Sequence, residues 1–161
     1  MTNVERVVIA AAAALICAGP ATAQQHENHP TPASDQAQEV AGVLEAVFAA
    51  TEAGDYGALG DLYAGDDLTI LEGAGLDRGW AQYRDHHLKP ELEEFEEFSY
   101  APRNIEVQVA GDLAWALFEY DLMIKVGERE IDRVGRGTAV FEWRGDRWVV
   151  RHMQTANRPR G

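Results

Sequence analysis

His87 and Glu91 stand four residues apart, one turn along a helical pattern, so an imidazole and a carboxylate can meet over one point. Such a pair suits proton transfer, or, with a third donor, a cation such as zinc. His152, near the end of the chain, supplies that third donor only if its strand faces the helix. The competing reading keeps His86 in solvent, sets His87 against the apolar stripe of Trp80 and Leu88, and leaves His152 at a dimer face. On balance the sequence favours no metal and requires no cofactor. A second set of candidates belongs to strands. Tyr120 interrupts an otherwise apolar face that runs Ala114, Ala116, Phe118, Leu122, Ile124 and Val126, and its hydroxyl can donate to a ligand oxygen. Arg133 and Arg151 share parity with inward residues, and two guanidinium groups in a cavity would select an anion. Pairing with Glu119, Asp121, Glu130 or Asp132 is the competing use of those arginines. With Tyr83, His87 and Trp80 on the third helical segment, Tyr120, Arg133 and Arg151 make up the candidate ligand-binding residues. None of them is assigned a catalytic role.

The elements that must carry these residues are helical first and extended later. Ser34 is read as an N-cap followed by an apolar stripe of Val40, Val43, Leu44, Val47, Phe48 and Thr51. Gly54 ends this helix, and Asp55 caps a shorter one through Leu59, Leu62 and Tyr63. Leu68–Leu71 reads as a short strand, and Gly73–Gly79 as a glycine-rich loop without the Lys-Ser/Thr of a phosphate cradle. A third helix starts at Trp80. Pro90 removes a backbone donor and crowds the carbonyl of His86, so the helix kinks or restarts there. The acidic run Glu91–Glu97 reads as a solvated helix face, with Leu92 and Phe95 turned inward.

From Arg103 the period becomes two. Turns at Gly111-Asp112, Gly127-Glu128 and Gly145-Asp146 divide a four-stranded meander, and Gly135 and Gly137 predict a bulge or bend in its third strand. The expected fold is α+β: a curved antiparallel sheet, a cone or half-barrel, packed around about three N-terminal helices. Trp115, Leu117 and Met123, with Trp148 and Val150, make its outer face too apolar for bare solvent and call for a partner, cover by the N-terminal leader being the competing reading.

Residues 1–23 have the pattern of a signal peptide, with Arg6, an apolar run Val7–Gly19 and Ala21-Thr22-Ala23 at the cleavage position. That run is short of the about 20 residues a membrane span needs, so no stable anchor is expected after cleavage. Cys17 leaves with this segment, which excludes disulfides and thiolate chemistry from the mature chain. Residues 24–35, with His26 and His29, read as a flexible leader, and residues 36–158 as one domain. The expected address is periplasmic or secreted. A net charge of −13 excludes nucleic acid and anionic lipid as partners.

Four stretches resemble a known superfamily: the amphipathic helix at Val40–Ala53, GW-x2-YRDHHLKPEL at 79–92, GD-x-A at 111–114, and RG-x-AVFEWRGDRWVVRHMQ at 136–154. They are similar to the SnoaL-like, nuclear-transport-factor-2-like proteins, cone-shaped α+β folds that include the association domain of calmodulin-dependent kinases. Trp148, His152 and Gln154 resemble the Trp-x3-His-x-His ending of many members, with Gln154 in place of the second His. No acid here matches the aspartate base of the ketosteroid isomerases. The resemblance implies a pocket at the open end of the cone and a homodimer paired through the sheet. The expected function is binding of a small molecule, anionic or aromatic, by an exported protein. The alternatives are an enzyme of the ketosteroid-isomerase or hydratase type using a His or acid for proton transfer, and a purely structural homodimeric module.

Overall fold

The structure, a computed structural model, describes residues 32–161, with side chains from residue 35 onward. Residues 1–23, read as a signal peptide and containing Cys17, lie outside the described residues, as do His26 and His29. Helix α1 spans Pro32–Glu52 and begins two residues before Ser34, which is therefore inside the helix and not its cap. A proline suits a first helical turn, where its missing N–H is not needed. The predicted stripe is the buried one: Val40, Leu44, Val47 and Phe48 are at most 2% exposed. Each such side chain contributes about 1.5–3 kcal/mol on burial. Helix α2, Tyr56–Leu62, is capped as expected, with the Asp55 carboxylate accepting from the Ala58 N–H at 2.9 Å.

Strands β1 (Thr69–Glu72) and β2 (Gly75–Arg78) form a hairpin, so the segment read as a glycine-rich loop contains a strand. Its glycines carry the turn: Gly73 has φ of 57°. Helix α3 (Trp80–Tyr83) then runs through a π-helical turn, Arg84–Leu88, into α4 (Lys89–Glu94). The wider turn is how the chain absorbs Pro90, which sits in the first turn of α4.

Strands β3 (Glu97–Ala110), β4 (Leu113–Val126), β5 (Arg129–Trp143) and β6 (Trp148–Pro159) make the meander. The six strands form one curved, unclosed sheet in the order β2-β1-β6-β5-β4-β3, with β1 parallel to β6 and the other pairs antiparallel. Register shifts lie between Arg103 and Glu106 on β3 and between Val140 and Phe141 on β5. Such irregularities bend strands and deepen the twist. Asn104 takes a left-handed φ of 51° at the first of them, a conformation asparagine tolerates.

Gly135 and Gly137 are not at a bulge, because β4 and β5 pair without interruption across them. They are there for the rings opposite. Tyr120 lies over Gly135 and Phe118 over Gly137, so closely that a Cβ at either position would collide with the ring. Phe48 of α1 closes the stack from above, 4.1 Å from Tyr100 and 5.5 Å edge-on from Phe118, centroid to centroid. Helix, ring layer and bare glycine backbone form the floor of the cone.

Candidate functional site

Above that floor the sheet and helices enclose a cavity of about 260 Å³. Its walls are apolar toward α4 and the ends of β3 and β4, where Leu92, Phe95, Phe98, Leu122 and Ile124 meet. Its polar groups come from four elements: Thr51 from α1, Glu72 from β1, Glu91 from α4, and Thr155 and Asn157 from β6. Tyr83, Tyr100 and Tyr120 add three phenols. Neither Lys nor Arg is among the lining residues.

Tyr120 is 1% exposed, and its hydroxyl accepts from the Asn157 amide at a long 3.5 Å, with Thr155 as a second side-chain partner. Burial pushes the Tyr83 and Tyr100 hydroxyls well above the ordinary phenol range, so both remain protonated donors at neutral pH. The Tyr83 hydroxyl reaches Glu72 Oε1 at 3.5 Å.

His87 stands beside this cavity at the centre of an acidic set. Its Nδ1 lies 2.7 Å from Asp77 Oδ2, a short charge-assisted bond. Its Nε2 lies 3.2 Å from Glu72 Oε2 and 3.3 Å from Glu91 Oε1. The Glu72 carboxylate, with Asp77 and the charge of Glu91, raises the imidazole to about 9 against the opposing effect of burial. Burial in turn raises the Glu91 carboxyl. The π-helical turn matters here, since it contains His87 and sets its direction toward the β1–β2 hairpin.

The sequence placed His87 and Glu91 together, and the structure does so. It does not add His152, whose Nδ1 is bonded to Thr69 Oγ1 at 2.7 Å on the neighbouring strand. The third and fourth members are instead Glu72 and Asp77, which sequence reasoning missed. Strand parity contained the signal. Ile70 is 1% exposed, Glu72 lies two residues further on the same face, and Asp77 is directly opposite Ile70 in the hairpin. Reading Gly73–Gly79 as a loop concealed it.

Of the other candidates, Tyr83 and Tyr120 line the cavity. Trp80 does not: it is a core residue, 5.2 Å from the Tyr63 ring and topped by the Arg84 guanidinium. Arg151 shares parity with inward residues along β6, with acid pairing as its competing use, and the register shift opposite Phe141 makes it the extra residue of a bulge. It turns out to Glu142 and Asp67, each at 3.3 Å, while Met153 and Thr155 keep the inner face, and Trp148 and Val150, read as outer residues, are buried in the core. Arg133 retains inward parity, opposite Leu122, yet is not among the cavity residues. Glu119 and Asp121 are taken by Arg103 and Arg160 on the outer face.

A six-stranded open sheet wrapped on three helical segments, with a pocket inside its curve, defines a cone-shaped α+β protein of the nuclear-transport-factor-2-like class. Residues 40–156 match the model of the SnoaL-like domain, and the chain belongs to that family. Solved structures agree in fold. A candidate dehydratase of the NTF2-like family from Streptomyces avermitilis superposes with a TM-score of 0.70 at 18% identity, over 81% of this chain and 99% of that one. An NTF2-like superfamily protein from Salmonella enterica gives 0.72 at 16% identity, over 79% and 94%. A candidate ketosteroid isomerase from Shewanella frigidimarina gives 0.64 at 21% identity, over 71% and 92%. No curated protein matches the chain in sequence.

Proposed function

We propose that this protein binds a small, neutral or cationic organic molecule in the cone cavity. The observation that carries the reading is the lining itself: an apolar wall facing two carboxylates and three phenols, without a basic residue. An anionic ligand, which the two arginines suggested, would meet Glu72 and Glu91 and find no counter-charge there. The volume of about 260 Å³ is below the roughly 300–1,000 Å³ typical of drug-sized ligand sites, so the ligand is compact. An aromatic or alicyclic body with one hydroxyl or amine fits this arrangement.

The experiment is a thermal-shift series with phenols, small amines and small carboxylates, against the wild type and Leu122→Trp, which fills the cavity. A ligand held only by the folded state raises the melting temperature, by an equivalent of about 2.7 kcal/mol at a hundredfold excess over Kd. Phenols or amines are expected to raise it, carboxylates not, and Leu122→Trp to abolish the effect. Shifts by carboxylates alone, or shifts that survive Leu122→Trp, would refute the reading.

A second reading, proton transfer, is favoured by the His87–Asp77 contact, which fixes the imidazole next to the cavity. It predicts exchange of a proton α to a carbonyl in deuterated water, lost in His87→Gln. The export signal read in residues 1–23 supports a periplasmic or secreted protein, which cell fractionation with N-terminal sequencing tests. Leu113, Trp115, Leu117 and Met123 are 45–59% exposed on the outer face of β4, which supports a homodimer through the sheet. Beside them, between Leu117, Glu119, Arg136 and Thr138, lies an outer groove of about 680 Å³ that a second copy would cover.

A further inference from the structure

We propose that Glu72, His87 and Glu91 form a divalent metal site, taking a cation of the Zn²⁺ or Mn²⁺ kind at the edge of the cone cavity, with Asp77 as its outer support. This goes beyond the cavity-binding reading, which describes the metal-free cavity with Glu72 and Glu91 unneutralised, and it rests on the three side chains themselves.

The first argument is convergence. Oε2 of Glu72 and Oε1 of Glu91 straddle the same nitrogen, Nε2 of His87, at 3.2 and 3.3 Å. All three residues offer a donor atom within 4.8 Å of the others. An imidazolium has one N–H at Nε2 and would draw one carboxylate to a charge-assisted bond of about 2.7–2.9 Å. Two oxygens at nearly equal, longer distances instead mark a point in front of the nitrogen. Metal–ligand bonds of about 2.1 Å place adjacent donors roughly 3.0–3.4 Å apart, between octahedral and tetrahedral angles. The two edges at Nε2, 3.2 and 3.3 Å, fall inside that range.

The second argument is the other ring nitrogen. Metal-bound histidines almost always give their free N–H to a carboxylate, a backbone carbonyl or water, which fixes tautomer and ring orientation. Asp77 provides this contact at 2.7 Å to Nδ1 and is itself 9% exposed, so the imidazole is held with Nε2 facing Glu72 and Glu91. The third is the open side. Tyr83 is 5% exposed and lines the cavity, and its hydroxyl makes one long contact, 3.5 Å to Glu72. A cation at this point would keep coordination positions for water or a ligand oxygen facing that hydroxyl. One imidazole with two carboxylates suits zinc, manganese or iron(II), and carboxylates alone would favour harder ions.

The site draws its ligands from strand β1, the π-helical turn and helix α4, so it forms only in the folded chain. It also excludes the proton-transfer use of His87 in the same molecule, because Nε2 cannot hold a metal and shuttle a proton together.

The test is calorimetric titration of ZnCl₂ into chelator-stripped full-length protein, with His26, His29 and His86 replaced by Ala to remove competing imidazoles. One ion per chain is expected. Glu91→Gln, at a half-exposed position that the fold tolerates, is expected to weaken binding at least tenfold, and His87→Ala more than a hundredfold. Asp77→Asn should fall between about 10- and 100-fold, as outer supports do. Glu93→Gln, on the same helix but paired with Lys89, should bind as the parent does. Circular dichroism confirms that each variant is folded. Absence of one-to-one binding in the parent, or equal affinity in Glu91→Gln and the parent, overturns the proposal. Leu122→Trp separates the two readings, since it blocks the organic ligand and leaves the three metal ligands in place.

Discussion

Gly135→Ala tests the packing that makes the cone floor. A Cβ on Gly135 would sit 2.5 Å from Cε2 of Tyr120 and closer still to Cζ. The backbone at Gly135 is central in the sheet, paired to Tyr120 on one side and Asn157 on the other, so it cannot withdraw. The ring must move instead. Tyr120 is 1% exposed and packed against Tyr100 at 5.2 Å and Phe48 at 6.1 Å, so moving it disturbs the whole aromatic layer. Overpacking typically costs about 1–3 kcal/mol, and each disturbed aromatic pair adds about 0.5–1.5 kcal/mol. A loss of about 3 kcal/mol is expected, which for a domain of this size lowers Tm by roughly 6–12 °C. Thermal and urea melts of the purified variant give the value. Two companions sharpen it. Gly42→Ala, on the exposed side of α1 with open space around it, should stabilise by about 0.5–1 kcal/mol. In a Tyr120→Ala background Gly135→Ala should cost little, so the double-mutant cycle should show a coupling of most of the 3 kcal/mol. A Gly135→Ala protein melting within a degree of wild type would refute the reasoning, as would a cost that persists without the Tyr120 ring.

Other consequences follow from single contacts. Asp55→Ala removes the α2 cap and should cost about 1 kcal/mol, a drop of roughly 2–4 °C in Tm. In metal-free protein His87 is raised from 6.5 to about 9, so its stabilising effect is complete below pH 6.5 and disappears as pH rises through 9. The difference in stability between wild type and His87→Gln should therefore shrink between pH 7 and pH 10 in chemical melts, and a constant difference would contradict the assignment. Trp115→Glu, 45% exposed on β4, should convert a dimer to a monomer by light scattering without loss of secondary structure. Monomeric wild type would dispose of the pairing through the sheet.

Much of the fold is legible along the chain because it rests on local periodicity. The stripe Val40–Thr51, the Asp55 cap, the restart at Pro90 and the alternation along β4 each follow from neighbours a few residues apart. The site was half legible for the same reason. His87 and Glu91 are one helical turn apart, so spacing alone joins them. Glu72 and Asp77 come from a hairpin, and their meeting with His87 depends on where that hairpin docks. Arg151 shows the opposite failure. Its parity was counted correctly along β6, but one register shift opposite Phe141 turned it outward.

By itself, the sequence determined most of the helices and the long strands, though not strand β2 or the start of β3 at Glu97, together with most turns and apolar faces, since these depend on backbone preferences and on the periods of 3.6 and 2. Tertiary structure alone decided that Gly135 and Gly137 hold rings instead of a bend, that the cavity is acidic and not basic, and that three carboxylates surround His87. Those outcomes depend on strand register and on docking between segments distant in the chain, where a shift of one residue exchanges the inner face for the outer.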